Sequence, residues 1–123
     1  NHEGIVPVFT LQPDLLFEQR KVLTEFEQRL SAEVDQAQPI NYRQFKNRAR
    51  PFVTAKLQQV TAAQGAPFID MTDILGEIKD DAFTDDCHLT PPANETVAQY
   101  IGHRIAPLIA ASIEKKEKGG RTS

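Results

Sequence analysis

The 123-residue chain has no tryptophan, one cysteine and one methionine, and its only serines are Ser31, Ser112 and Ser123. Each scarcity excludes something. With Cys87 alone there is no internal disulfide and no cysteine-rich metal site, which leaves the redox compartment open. No apolar run reaches the roughly 20 residues that a helix needs to cross a bilayer. No basic stripe with interleaved aromatics occurs, and a net charge of −3 argues against nucleic acid as the main partner. The chain opens on Asn1 and carries no signal-peptide pattern. That opening is expected of an N-terminus made by processing, proteolysis or cloning. An export signal could then have been lost upstream, so localisation stays open.

What remains is the composition of an ordinary globular chain, 40% hydrophobic and 25% charged. A chain of this length suits one domain that buries about two thirds of its unfolded surface. Ile5-Val6-Pro7-Val8-Phe9-Thr10-Leu11 is apolar and β-branched, and Gln12-Pro13-Asp14 behind it signals a turn. Such a run predicts a buried strand of a parallel sheet; because proline cannot donate to a ladder, Pro7 either speaks against a central position or lies near the strand's start. Thr24-Glu25-Phe26-Glu27 has the spacing of a capping box and predicts a helix that ends near Ala37 to Pro39, with Phe26, Leu30 and Val34 on one face.

Tyr42, Phe45, Ala49, Phe52, Val53, Leu57 and Val60 recur at threes and fours and predict helix from Tyr42 to about Ala63. Pro51 makes that segment either one kinked helix or two, and Gln64-Gly65 stops it. Pro67-Phe68-Ile69-Asp70 reads as a second buried strand, with a turn or short helix from Met71 to Leu75 and a polar, acidic loop over 76–90. Thr90-Pro91-Pro92 opens the last helix, whose core face is Val97, Ile101, Ile105, Leu108 and Ile109. The charged, glycine-ended segment 113–123 is expected to fray as a disordered tail. Strand, helices, strand, helix is an α/β order. Two strands make a poor sheet, so residues 1–112 look like part of a larger domain.

Chemistry concentrates in Asp85-Asp86-Cys87-His88-Leu89-Thr90-Pro91, where a carboxylate and an imidazole lie three residues apart ahead of a helix. A histidine becomes an effective general base when a carboxylate fixes its tautomer and stabilises its charged form. Asp85 is the first candidate for that carboxylate and Asp86 the weaker one. The plainer alternative is a surface loop with a capping aspartate and a solvated histidine. Glu77, Asp80, Asp81, Asp85 and Asp86 form an acidic cluster without the glycine and terminal glutamate of an EF-hand. A solvated acidic loop is therefore expected, with no metal and no cofactor. Cys87 is read as a packing cysteine, since adjacent residues usually point apart. His2 and His103 are expected to face solvent. Asn94-Glu95-Thr96 fits a glycosylation sequon, but its place in a first helical turn makes structure the default reading.

The two strands, the Gln12-Pro13 turn, Phe68-Ile69-Asp70-Met71-Thr72-Asp73 and His88-Leu89-Thr90-Pro91-Pro92-Ala93-Asn94 resemble the C-terminal half of the SGNH (GDSL-type) hydrolases. These are esterases and lipases with a flavodoxin-like three-layer α/β/α sandwich, and the resemblance spans about Ile5 to Ile109. Ala93 stands where the family commonly has glycine. The resemblance implies that His88 is the general base of a Ser-His-Asp triad and Asp85 its orienting carboxylate. It also implies a small ester substrate, with an acyl or acetyl group. Gly-Asp-Ser does not occur in the chain, nor does the Gly-x-Asn of the family's oxyanion hole, and no serine lies at a strand-to-helix elbow. The expectation is a fragment that is inactive alone, its open sheet edge covered by a missing N-terminal segment or a second copy. The alternative is a non-catalytic α/β binding or interaction module.

Overall fold

The computed structural model describes residues 5–38 and 41–120. The chain runs β1 (Phe9–Leu11), α1 (Glu25–Ala37), α2 (Tyr42–Ala63), β2 (Phe68–Asp70) and α3 (Pro91–Gly119), an α/β order. β1 and β2 pair in parallel with Phe9 opposite Phe68, Thr10 opposite Ile69 and Leu11 opposite Asp70. The two intervening helices supply the long connection that a parallel pair requires.

β1 is shorter than the apolar run that predicts it, and it is not buried. Among the described residues its only sheet neighbour is β2, so Phe9 is 47% exposed while Ile69 on the partner strand is 2% exposed. Hydrophobic sequence marks a strand that wants covering. It does not supply the cover.

α1 is capped as its sequence predicts. The Glu27 amide donates to Thr24 Oγ1 at 3.2 Å, and the Thr24 amide donates to Glu27 Oε2 at 3.0 Å. Its buried side differs from the apolar stripe. Phe26 is 40% exposed, whereas Glu27 and Ser31 are buried. The helix is turned by its polar contacts, described below, and the Phe26 edge is left toward solvent.

α2 passes through Pro51 as one helix and stops at Gly65, whose φ of 65° lies where glycine carries no steric penalty. Much of its apolar face is uncovered: Phe45, Phe52 and Val60 are all exposed. Cations hold the helix in place instead. Arg50 donates to the Phe17 carbonyl at 2.8 Å and to Thr72 Oγ1 at 3.0 Å, and also pairs with Asp73. Lys46 meets Asp14 at 2.7 Å with its ammonium over the Phe17 ring.

α3 begins at Pro91 behind Thr90, whose backbone is extended like that of an N-cap. The Thr90 hydroxyl does not cap the helix; it donates to the Asp81 carbonyl at 2.9 Å. The charged segment expected to fray continues the helix as far as Gly119, and 121–123 lie outside the described residues. The packed centre is small. Leu15, Leu75, Ala82, Phe83 and Ala93 form it, flanked by Leu23, Leu30, Ile78, Leu89 and Val97. It lies directly beneath the acidic loop.

Candidate active site

The acidic loop is a closed structure. Phe83 and Leu89 form an antiparallel bridge, the Thr84 amide donates to the His88 carbonyl at 2.9 Å, and the Thr90 amide donates to the Ala82 carbonyl at 2.9 Å. Phe83 is completely buried and pins the loop to the core. Between these ties the chain must reverse, and Asp85 makes it do so. Its Oδ1 accepts from the amides of Cys87 at 2.9 Å and His88 at 2.6 Å, a side-chain mimic of a backbone turn.

The same carboxylate holds the imidazole. Asp85 Oδ2 lies 2.6 Å from His88 Nδ1. An ionised carboxylate can only accept, so Nδ1 carries the proton in the neutral ring and the lone pair is on Nε2. His88 is 75% exposed as a side chain and leaves that nitrogen open to an incoming group. The amides of Cys87 and His88, with the His88 ring, hold the Asp85 carboxyl down at about 2. Asp85 is thus an anion throughout the neutral range. Asp86 plays a different part: its carbonyl accepts from the Leu15 amide at 2.8 Å.

Leu15 follows the end of β1, so its bond to Asp86 ties the loop to the carboxyl end of the sheet. That is where open α/β sheets place their sites. On the other side Glu27 Oε1 accepts from the amides of Ala82 at 2.7 Å and Phe83 at 3.2 Å. Thr24 also bonds to the Asp81 carboxylate.

Cys87 corrects an expectation. Its sulfur does not point away from its neighbour but lies 3.7 Å from His88 Nδ1. The turn around Asp85 gathers consecutive side chains on one side. Burial, with the nearby Asp86, Asp85 and Asp14 charges, pushes the Cys87 thiol up, so it is kept protonated rather than made a nucleophile.

Asp85, Cys87 and His88 also form the one group of metal-ligand types that comes close together among the described residues, within 4.8 Å. Ligand atoms about 2.0–2.1 Å from a tetrahedral ion stand well over 3 Å apart. The 2.6 Å between Oδ2 and Nδ1 is a hydrogen-bond length. As placed, the two groups are closed on each other as an acid–imidazole pair. The wider acidic cluster disperses: Glu77 lies out in solvent 3.7 Å from Arg20, and Asp81 turns to Thr24.

No serine joins the pair among the described residues. Ser31 is buried in α1, where its oxygen accepts from Arg43 at 2.7 Å. Ser112 lines a groove beside the far end of α3. Ser123 and His2 lie outside the described residues. His103 is exposed on α3, as expected.

Sequence reasoning singled out Asp85 and His88, which the structure brings together, but missed the support beneath them. Lys21 and Glu27 pair at 2.8 Å with both side chains fully buried. Their spacing carried a faint signal, a lysine six residues before a capping glutamate, but the capping box alone accounted for Glu27. Compared with protein-family models, with curated proteins and with solved structures, the chain matches none of them.

Proposed function

We propose that this chain contributes the general base and orienting acid of a serine esterase, as the C-terminal part of an SGNH-type three-layer sandwich. The observation that carries the reading is the 2.6 Å contact between Asp85 Oδ2 and His88 Nδ1 on an imidazole whose Nε2 side is open. In that role Nε2 takes the proton of a serine hydroxyl as the oxygen attacks the ester carbonyl, and returns it to the departing alcohol. Asp85 holds the ring and stabilises the imidazolium. Water then hydrolyses the acyl-enzyme by the same proton relay.

The serine and the oxyanion donors would come from a segment outside these residues, paired along the open edge of β1. An exposed, apolar edge strand is the natural docking line for such a segment. The absence of a serine beside His88 among the described residues favours a second reading, a non-catalytic α/β binding module with the same loop.

The upstream coding sequence and an acyl-ester assay decide between them. The first reading expects a frame with Gly-Asp-Ser after an apolar strand, and a product that hydrolyses p-nitrophenyl acetate. His88→Ala in that product should lower kcat by roughly 10⁴- to 10⁶-fold. A near-unchanged kcat would sink the base assignment. A frame that starts at Asn1 would leave the binding reading.

A further inference from the structure

We infer that Glu27 is the positioning residue of the Asp85–His88 pair: its buried carboxylate, matched by Lys21, fixes the start of the loop that carries both side chains. The inference rests on the reading of that pair as base and orienting acid, but it concerns geometry and is tested without turnover.

A carboxylate has about four acceptor sites, and Glu27 uses all of them within the protein. Oε2 takes the Lys21 ammonium at 2.8 Å and the Thr24 amide at 3.0 Å. Oε1 takes the amides of Ala82 at 2.7 Å and Phe83 at 3.2 Å. One oxygen thus completes the α1 cap and the other reaches across 55 residues of sequence to the acidic loop. Phe83 is two residues before Asp85, and its bridge partner Leu89 directly follows His88. Fixing the amides at 82 and 83 fixes both stems of the loop, and with them the distance between carboxylate and ring.

Capping alone does not account for this arrangement. A capping-box glutamate needs one acceptor and ordinarily sits at the surface, whereas Glu27 and Lys21 are both fully buried. Two charges taken from water are a poor source of stability compared with apolar side chains of the same volume. What they supply here is direction: two amides on adjacent residues are satisfied only when the loop sits in one place.

The test uses the full chain labelled with nitrogen-15. In the wild type, the neutral His88 ring should be mainly the Nδ1–H tautomer, and the Ala82 and Phe83 amides should exchange as slowly as that of buried Ile69. In Glu27→Gln, an isosteric change that leaves only one acceptor oxygen, the Nε2–H tautomer should gain population. Exchange at 82 and 83 should accelerate at least 10-fold. Ile69→Ala, a buried change on β2 outside the cluster packed under the loop, controls for lost stability and should keep the wild-type tautomer in its folded fraction.

A wild-type tautomer ratio in Glu27→Gln would overturn the inference. So would solvent-like exchange at Ala82 and Phe83 in the unmodified protein, a measurement that needs no variant to fold. If the esterase reading alone fails, catalysis is absent while the tautomer and exchange results still respond to Glu27.

Discussion

The loop over 82–90 and the elements β1 and α2 carry similar shares of apolar residues, yet they end in opposite states. Around the loop, Phe83, Ala82 and Ala93 are completely buried, and polar groups are paired down to the individual lone pair on Glu27. On β1 and α2, Phe9, Phe45 and Phe52 are 47%, 64% and 77% exposed, and cations such as Arg50 and Lys46 hold α2 in place. A groove of about 530 Å³ between β1 and α3 is lined by Val6, Val8, Ile101, Ile105, Leu108 and Ile109. The lesson is that the packing under the acid–imidazole pair is closed, while among the described residues β1 keeps an open edge. Close pairing of polar groups in one loop does not require every apolar face of the chain to be covered.

That contrast can be broken most directly by removing one phenylalanine from each side. Phe83→Ala should cost about 3–5 kcal/mol of unfolding free energy in urea titrations, the range for emptying a buried aromatic site. Phe52→Ala, at 77% exposure, should stay within about 0.5 kcal/mol. Equal costs would mean that the α2 face is covered in solution.

The acid limb of stability sharpens the same contrast. Burial alone would raise the Glu27 carboxyl, but the bonds from Lys21, Ala82, Thr24 and Phe83 outweigh it and bring it below its ordinary value of 4.5. A carboxyl lowered on folding stabilises the protein above its unfolded value and loses that contribution as pH falls through the folded one. The urea midpoint should therefore drop as pH falls below about 4.5, from this group among others. In Glu27→Gln, that part of the drop should vanish. An unchanged acid limb in the variant would mean that the carboxylate is not held as an anion.

Ile109→Glu addresses the open side. It puts a charge into the groove beside β1, where Ile109 is 54% exposed, and should change stability by less than about 0.5 kcal/mol. If the groove is a contact between copies, sedimentation velocity should show weaker concentration dependence in the variant. An unaltered profile would direct attention to another cover.

The smallest effect belongs to Asp85. Its carboxyl resonance should titrate near about 2, and His88→Ala should raise that midpoint only part of the way to 3.8. The amides at 87 and 88 remain as donors after the ring is gone. A full return would mean that the ring alone held it down.

Much of this was legible in the sequence, for reasons that are local. The Thr24–Glu27 spacing marks the start of α1, Gly65 the stop of α2, and Thr90-Pro91 the start of α3, because caps and stops involve residues a few positions apart. Asp85 and His88 were legible for the same reason: a three-residue span lets one carboxylate bond both the amide and the ring of His88. Pro51 could be read only as a kinked helix or a break, since a proline's effect depends on what packs against it; in the structure α2 is continuous.

The sequence by itself therefore determined where the helices begin, where α1 and α2 stop, and that Asp85 could reach His88, because these follow from short spacings and backbone chemistry; the run of α3 to Gly119 was not among them. Only the tertiary structure decided that Glu27 is buried with Lys21 beneath the loop, that the Cys87 thiol turns to the imidazole, and that β1 has one neighbour among the described residues. Those outcomes depend on contacts between segments far apart in the chain. Local propensity does not encode which distant amide a carboxylate will meet, nor whether an apolar strand will find a second partner.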